Sequence, residues 1–296
     1  MANLHAVPTE RSYLRVQMIT TCISTYNTLP YLKLAIHSVR KYSHFKNMPF
    51  IVHAENCTDG TNEWLTENKD RYNLEIYIEQ NQSPRGIGGG MNFCADKVQT
   101  EFINFMHSDF FVSQDWDLNL YRVFEKYPNE RLWVNSHRVE PDMFNNPFSR
   151  PGTLIVPKDE FGELHSNFNE EYFIEWASEF TSSNDFEIPK GEGVSGLVRK
   201  VDWDFIGGND DRFAPAWWED FDLFLRMLQN GFRFVLPSTS LVYHFGARSS
   251  HFPGDDFTRK TSRSMELEPL GQTKFIQKWG GVPVFDDYGM IKGVRR

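Results

Sequence analysis

The chain of 296 residues has little cysteine, no long hydrophobic run and no excess of positive charge. Its three cysteines, Cys22, Cys57 and Cys94, lack the Cys-x-x-Cys spacing of zinc sites, so we expect buried thiols of a reducing compartment. No apolar stretch is long enough to cross a bilayer, and residues 1–15 lack the hydrophobic segment of a signal peptide. A formal net charge of −9 argues against binding nucleic acid through its phosphates. We therefore predict a cytoplasmic protein with no transmembrane segment and no nucleic-acid partner.

Apolar and aromatic side chains are abundant. The sequence is 40% hydrophobic and 15% aromatic, with 26 Phe and 8 Trp. This content supplies a large core and excludes intrinsic disorder of the whole chain. Most of these rings are expected to pack in that core, while a minority could form platforms for sugar rings.

The first half of the chain alternates β-type runs with helical patterns. This alternation predicts a mostly parallel sheet with helices on both faces, whose ligands bind beyond the carboxyl ends of the strands. After about residue 135 the pattern becomes irregular, until an amphipathic helix and two short strands return. The predicted strands are residues 16–24, 49–54, 74–79, 101–106, 232–236 and 241–245, and the clearest predicted helices are residues 61–72, 86–98, 220–229 and 273–279.

Three loops at the predicted sheet edge carry candidate binding residues. Tyr26, in the loop that begins at Ser24, could pack on a base or sugar, although a plain strand-to-helix turn explains this loop equally well. Glu55 follows a buried strand, where a carboxylate can accept a hydrogen bond from a nucleobase. Arg85 precedes a glycine cluster that ends at Gly90, which either brings backbone N–H groups to a phosphate or forms a tight turn. Arg85 itself offers positive charge for a diphosphate.

A fourth loop delivers His107, Ser108 and Asp109 at the end of a predicted central strand. Asp109 is an oxygen ligand of the kind that Mg²⁺ and Mn²⁺ prefer, or it is an acid that caps a loop. His244 ends a later strand and could supply an imidazole ligand to the same cation. A lone histidine is more often structural, so both interpretations stay open.

Aromatic and acidic residues alternate from Trp217 to Asp222, where a helix begins. The helix dipole favours acids in a first turn, which is a purely structural explanation. The two adjacent tryptophans alternatively form a wall for a sugar ring, and an acid beside such a wall suits a general base.

The order of these motifs resembles family 2 glycosyltransferases, which are inverting enzymes with the GT-A fold. The resemblance runs from about residue 18 to residue 244. In the first half it rests on the Ser-Thr-Tyr-Asn step at residues 24–27, the acidic turn at 55–61, the glycine-rich stretch at 86–90 and the strand-end acid at 109. In the second half it rests on a Gly-Gly-x-Asp segment at 207–210, a Glu-Asp-x-Asp helix start at 219–222 and a final histidine at 244.

The resemblance implies a fold, an activity and a domain organisation. The fold is α/β: a Rossmann-like, mostly parallel central sheet flanked by helices. The activity is that of a metal-dependent hexosyl- or pentosyltransferase, which moves a sugar from a nucleoside diphosphate, UDP rather than GDP, to the hydroxyl of a glycan or other acceptor. The cofactor is a divalent cation, Mn²⁺ or Mg²⁺. A single domain, residues 1–296, would comprise a nucleotide-sugar-binding half at residues 16–134, an acceptor-binding half at 135–263 and a tail with a helix at 264–296.

The resemblance also implies roles for nine residues. Contacts to the nucleotide and its diphosphate are expected from Ser24, Tyr26, Glu55 and Arg85. The cation is expected on Asp109 and His244. Asp220 is expected to be the catalytic base, with Trp218 and Glu219 binding the acceptor.

Two departures keep an alternative function open. The family's metal motif usually begins with Asp, where this chain has His107, and Glu55 stands where the family often has Asp. A protein that binds sugar nucleotides with weak or no catalysis is therefore the alternative. A nucleotidyltransferase is less consistent with the sequence, because residues 24–31 are neither glycine-rich nor basic. Basic residues between 248 and 263 either meet a polyanionic acceptor or form a solvated loop over the donor.

Overall fold

The structure is a computed structural model that describes residues 18–142, 151–193, 195–246, 248 and 262–296. Its first part alternates strands and helices, as the sequence predicts. The elements are β1 (Ile19–Thr25), α1 (Leu29–Tyr42), β2 (Phe50–Glu55), α2 (Thr61–Asn68), β3 (Glu75–Glu79), α3 (Gly86–Lys97), β4 (Phe102–Met106), β5 (Phe110–Val112), α4 (Trp116–Lys126) and β6 (Arg131–Val134).

The second part contains more regular structure than the sequence indicates. A helix of 14 residues and several short strands lie within the region that shows no clear pattern. The elements are β7 (His137–Pro141), β8 (Leu154–Val156), α5 (Glu170–Ser183), β9 (Glu187–Ile188), β10 (Gly196–Arg199), α6 (Lys200–Ile206), α7 (Glu219–Gln229), β11 (Phe232–Pro237), β12 (Leu241–His244), α8 (Ser262–Trp279), β13 (Val282–Phe285) and β14 (Ile291–Arg295).

The central sheet has eight strands in the order β3-β2-β1-β4-β10-β6-β11-β9. The first four strands run parallel, with Ile23 of β1 paired to Val52 on one side and Met106 on the other. β10 enters antiparallel between β4 and β6. The predicted mostly parallel sheet is therefore confirmed, and the ends of β1, β2 and β4 meet at one edge.

A second sheet, in the order β5-β12-β7-β8, lies beside that edge. His244 of β12 pairs with Phe110 of β5, directly after Asp109. On its other side β12 pairs in parallel with β7, which carries Glu140. This pairing brings three segments that are far apart in sequence to one place.

Helices cover both faces of the central sheet because their apolar residues recur at helical spacing. On one face Leu32, Ile36 and Val39 of α1 are at most 1% exposed, and burial of each such side chain contributes about 1.5–3 kcal/mol. On the other face Met91 and the helical residues beside it pack in a separate cluster. All three cysteines are buried free thiols. No helix among the described residues is long and apolar enough to span a membrane.

Helix α7 is fixed to the C-terminal helix by Asp222, whose side chain is fully buried. The carboxylate accepts from Arg226 Nε and Trp279 Nε1, each at 2.9 Å, and Lys278 Nζ lies 2.5 Å away. Arg226 also donates to the carbonyl oxygens of Ile206 and Gly208. Asp222 is therefore a structural residue, while the first two acids of this helix face elsewhere.

Candidate functional site

A cavity of about 750 Å³ opens at the carboxyl ends of β1, β2 and β4. Its position is that expected for a ligand site in an open α/β sheet. Eight of the nine residues singled out from the sequence line it: Ser24, Tyr26, Glu55, Asp109, Trp218, Glu219, Asp220 and His244.

The end of the cavity above β1 and β2 is built by close packing of α3 against the sheet. A Cβ atom on Gly90 would lie 2.1 Å from the Ser24 hydroxyl oxygen, so only glycine permits this approach. Tyr26 is 39% exposed, and its ring borders the cavity. The side chain of Asn27 accepts from the Thr58 backbone N–H at 2.7 Å, which joins the first two loops.

Glu55 holds the glycine turn in place. One carboxylate oxygen accepts from the Arg85 N–H and from Asn81 Nδ2, each at 2.8 Å, and the other accepts from the Gly86 N–H at 2.9 Å. The next backbone N–H, that of Ile87, donates to the carbonyl of Pro215. The glycines therefore lie in the first turns of α3, and the N–H groups of Gly86 and Ile87 are already used within the protein. Binding of a phosphate at this glycine cluster stays a prediction.

The guanidinium group of Arg85 lies outside the cavity. It forms an ion pair with Glu79, with 3.0 Å between Nε and Oε2, and lines a neighbouring depression. Among the described residues that line the main cavity, the Lys and Arg side chains are Lys190 and Arg138. The expected contact of Arg85 with a diphosphate stays a prediction that its placement does not favour.

Asp109 and His244 meet at the end of β4, with 3.5 Å between Oδ2 and Nε2. Burial alone would lower the pKa of His244, but the charges of Asp109 and Glu140 together raise it. Burial likewise opposes ionisation of Asp109, yet the neighbouring His244 keeps the pKa of that carboxyl below its usual range. On the far side of the ring, His244 Nδ1 lies 2.5 Å from Glu140 Oε1.

The arrangement around His244 fits a cation ligand. A carboxylate that accepts from Nδ1–H fixes the imidazole tautomer and directs the Nε2 lone pair outward, as in many metal sites. Two ligand atoms at about 2.1 Å from one cation can lie 3.5 Å apart. The described residues contain no cluster of three or more His, Cys, Asp or Glu that could hold a metal.

His107 is not arranged as a third ligand, although it lines the same cavity. Its Nε2 atom is buried and has no hydrogen-bond partner within the described part of the chain. Burial, followed by the positive charge of Arg138, lowers the pKa of His107 to about 3. The imidazole is therefore neutral at physiological pH.

Glu219 and Asp220 form an adjacent pair of carboxyl groups at the start of α7. Burial, reinforced by the charge of Asp220, raises the pKa of Glu219 to about 8. Burial also raises the pKa of Asp220, while its Oδ1 accepts from the Phe221 N–H at 2.8 Å. At neutral pH Glu219 therefore carries a proton, and Asp220 is the member of the pair that can accept one.

The two tryptophans before this pair adopt an uncommon backbone conformation. Trp217 has φ 81° and Trp218 has φ 73°, in the left-handed region that large side chains rarely occupy. The Trp218 ring packs against Phe221 and Phe275. A Cβ atom on Gly271 of α8 would lie 2.6 Å from the Trp217 carbonyl, so the C-terminal helix supports this segment closely.

Within the described middle region, four charged residues of the site were not identified from the sequence. Glu140 supports His244, whereas the other three line the cavity. All of them lie in the irregular middle region, where no local pattern singles them out. They are Arg138, Glu140, Lys190 and Glu192.

Known proteins resemble this chain in both sequence and fold. The profile of glycosyl transferase family 2 matches residues 20–180. Glycosyltransferase GlyA of Streptococcus pneumoniae is 26% identical over 109 residues, which are 37% of this chain and 15% of that protein. The chain thus spans under a sixth of the length of GlyA.

Solved structures of similar fold include S. aureus TarS, with a TM-score of 0.51 at 14% identity over 88% of this chain and 40% of that one. A TarS fragment in complex with UDP-GlcNAc has the same TM-score at 15% identity, over 88% of this chain and 67% of that one. GalNAc-T7 with UDP, GalNAc and Mn²⁺ has a TM-score of 0.57 at 15% identity, over 77% of this chain and 44% of that one. These similarities confirm the GT-A fold, and by the family profile, which covers more than half of its length, the chain belongs to glycosyl transferase family 2.

Proposed function

We propose that the protein is a metal-dependent, inverting glycosyltransferase that moves a sugar from a UDP-sugar to an acceptor hydroxyl. The observation that carries this proposal is one cavity that contains both a partly buried carboxylate base, Asp220, and the Asp109–His244 pair. Membership of family 2 supports the reaction class.

The donor is assigned to the end of the cavity above β1 and β2. Ser24, Tyr26 and Glu55 line this end, and Tyr26 presents an exposed ring on which a base can stack. Structural neighbours crystallised with UDP or UDP-GlcNAc support UDP over GDP. Arg138 is better placed than Arg85 to face a diphosphate, because it lines the cavity and Arg85 does not.

Asp109 and His244 would hold the cation, and Glu140 would orient the imidazole. When bound there, Mn²⁺ or Mg²⁺ would supply positive charge to offset the negative charge of the departing diphosphate. The crystal structure of GalNAc-T7 with Mn²⁺ supports a divalent cation.

Asp220 would accept the proton of the acceptor hydroxyl. The acceptor oxygen then forms a bond to C1 of the donor sugar, while the bond between C1 and the diphosphate oxygen breaks and the nucleoside diphosphate leaves. Attack from the face opposite the leaving group inverts the anomeric configuration. The proton on Glu219 keeps a second negative charge away from Asp220, and Trp218 forms part of the wall beside them.

A second candidate function is sugar-nucleotide binding without efficient turnover. His107, in place of the usual acid, favours it, since its neutral imidazole adds no negative charge beside the cation pair. The raised pKa of Asp220 favours the active enzyme, because a base works best when its pKa approaches the working pH. The cytoplasmic location and the division into donor and acceptor halves remain predictions, the former supported by three buried thiols.

A donor-hydrolysis screen tests the proposal. UDP- and GDP-sugars are incubated with the protein in Mn²⁺, Mg²⁺ or EDTA, and the released nucleotide is measured. We expect release from a UDP-sugar that stops in EDTA. Nucleotide binding without release from any donor, even after glycan acceptors are added, would favour the binding protein, and release that EDTA leaves unchanged would contradict the role of the cation.

A further inference from the structure

One wall of the cavity lies away from its nucleotide end. It is formed by Thr153, Lys190, Glu192 and Tyr288. The residues from 190 to 193 lead into β10, which lies on the side of β4 opposite to β1 and β2. Three of the four residues also lie beyond residue 180, where the match to the family profile ends. This wall is therefore placed to contact the acceptor rather than the nucleotide.

Glu192 presents an unused hydrogen-bond acceptor at this wall. The residue is 4% exposed, and its Oε1 accepts from Lys190 Nζ at 3.0 Å and from the Thr153 hydroxyl at 3.1 Å. Its Oε2 is buried and has no hydrogen-bond partner among the described residues. Arg138 Nε lies 3.5 Å from Oε2 but makes no hydrogen bond to it. A buried carboxylate oxygen without a donor is costly, which suits it to receive a ligand hydroxyl.

Tyr288 places an aromatic ring on the same wall, close to Lys190, which binds this carboxylate. It lies in the turn between β13 and β14, where its backbone N–H donates to Asp286 Oδ1 at 2.9 Å. The side chain is 39% exposed. A Cβ atom on Gly152 would lie 3.5 Å from the Tyr288 ring and 3.3 Å from the Lys190 side chain, so the ring and Lys190 meet across this glycine. A ring with one apolar face next to a fixed acceptor is typical chemistry for binding a sugar.

The charge of the cavity argues against an anionic acceptor. Lys190 is neutralised by Glu192, which leaves Arg138 as the other cationic Lys or Arg side chain among the described lining residues. Arg248, where the basic stretch begins, is 1% exposed and donates to the Glu163 carbonyl, so it does not face an acceptor in solvent. Among the described residues, the ionised carboxylates that line the cavity outnumber these two cations: Glu55, Asp109, Glu192 and Asp220.

We infer that Glu192 and Tyr288 form an acceptor subsite for a neutral sugar ring. Glu192 Oε2 accepts a hydrogen bond from a ring hydroxyl, and Tyr288 packs on the apolar face of the ring. Lys190 and Thr153 position the carboxylate. This inference rests on the proposed function and names its acceptor class, a neutral glycoside rather than a phosphorylated sugar.

Equilibrium binding tests the subsite without requiring turnover. Methyl glycosides of glucose, galactose, mannose and N-acetylglucosamine, and the corresponding 6-phosphates, are titrated in the presence of UDP and Mg²⁺ by saturation-transfer NMR. We expect at least one neutral glycoside to bind more tightly than its phosphate. Failure of all four neutral glycosides to bind, or tighter binding of the phosphates, would overturn the inference.

Variants assign the binding to this wall. Glu192→Gln and Tyr288→Ala should each raise the Kd of the neutral glycoside by about tenfold. Tyr288→Phe keeps the ring and should stay within about twofold of the wild type. Glu130→Gln, at an exposed residue paired with Arg233, is the matched control. Wild-type affinity in both Glu192→Gln and Tyr288→Ala would exclude this wall as the subsite.

The donor-hydrolysis screen separates this inference from the proposed function. If no donor is hydrolysed but glycoside binding depends on Glu192 and Tyr288, the proposed transferase activity would be contradicted and the subsite supported. If a donor is hydrolysed but neither substitution affects glycoside binding, the proposed activity would be supported and the subsite contradicted.

Discussion

Glu219 is expected to make the stability of the protein depend on pH. The residue is 8% exposed, its Oε2 has no hydrogen-bond partner among the described residues, and burial raises its pKa to about 8 from an ordinary value of 4.5. The folded chain therefore retains a proton that the unfolded chain loses between these pH values. The free energy of unfolding should fall as the pH rises from about 4.5 to about 8, and the contribution is lost above the folded pKa. Each unit of pKa shift corresponds to about 1.4 kcal/mol, so the contribution of Glu219 to the free energy of unfolding is at most about 5 kcal/mol.

The substitution Glu219→Gln isolates this effect, because glutamine has nearly the same shape and does not ionise. Urea unfolding of both proteins at pH 5, 6, 7 and 8 should give similar free energies at pH 5. Above pH 5 the free energy of unfolding of the variant should exceed that of the wild type by an amount that grows to a few kcal/mol at pH 8. The exposed control Glu130→Gln should follow the wild-type profile. Parallel profiles for wild type and Glu219→Gln would refute the assignment of a buried, protonated carboxyl.

Three further substitutions test the other acids. Asp220→Asn should lower turnover by about 10²–10⁴-fold while UDP affinity is retained, and kinetics with undiminished turnover would exclude it as the base. Asp109→Asn should weaken Mn²⁺ binding by at least about tenfold in calorimetry, because it removes a charged ligand; equal affinity would move the cation elsewhere. Asp222→Ala leaves the partly buried Arg226 without its carboxylate and Trp279 Nε1 without its acceptor, while Lys278 keeps Asp210, and should lower the free energy of unfolding by about 1–3 kcal/mol. A loss below about 1 kcal/mol in urea unfolding would show that this network contributes little.

The first half of the fold could be predicted because each element carries its own pattern. The strand expected at residues 49–54 is Phe50–Glu55, and the helix expected at 86–98 is Gly86–Lys97. The helix expected at 61–72 ends earlier, at Asn68, and residues 69–73 form turns that finish at Asn73 with φ 49°. Hydrophobic periodicity determines where such elements begin and end only to within a few residues.

The middle region could not be predicted, because its strands are short and depend on distant partners. β7 pairs with β12, about 100 residues later, and β9 has two residues. Such strands gain little from local sequence and form when the partner strand is already present. Helix α5 was missed although Asn169 caps its first turn, where the side chain accepts from the Tyr172 N–H.

In the candidate site, too, residues that belong to a sequence motif could be predicted, and residues whose role depends on distant contacts could not. Motif order located eight residues around one cavity, because the ends of parallel strands meet at one edge. Arg85 lies outside because Glu79, at the end of the adjacent strand, binds its guanidinium group. Glu140 and Glu192 had no signal, since their importance comes from contacts with His244 and Lys190 that only the folded chain creates.

The left-handed backbone at Trp217 and Trp218 has a consequence for evolution. A large side chain in that conformation costs about 1–3 kcal/mol, a cost that glycine would not carry. At Trp218 the packing of the ring on Phe221 and Phe275 offsets this cost, so selection for thermostability alone should enrich glycine at Trp217 rather than at Trp218. Selection that also demands sugar transfer should retain both indole rings. Sequencing both selected libraries would show whether this turn is where the protein exchanges stability for activity.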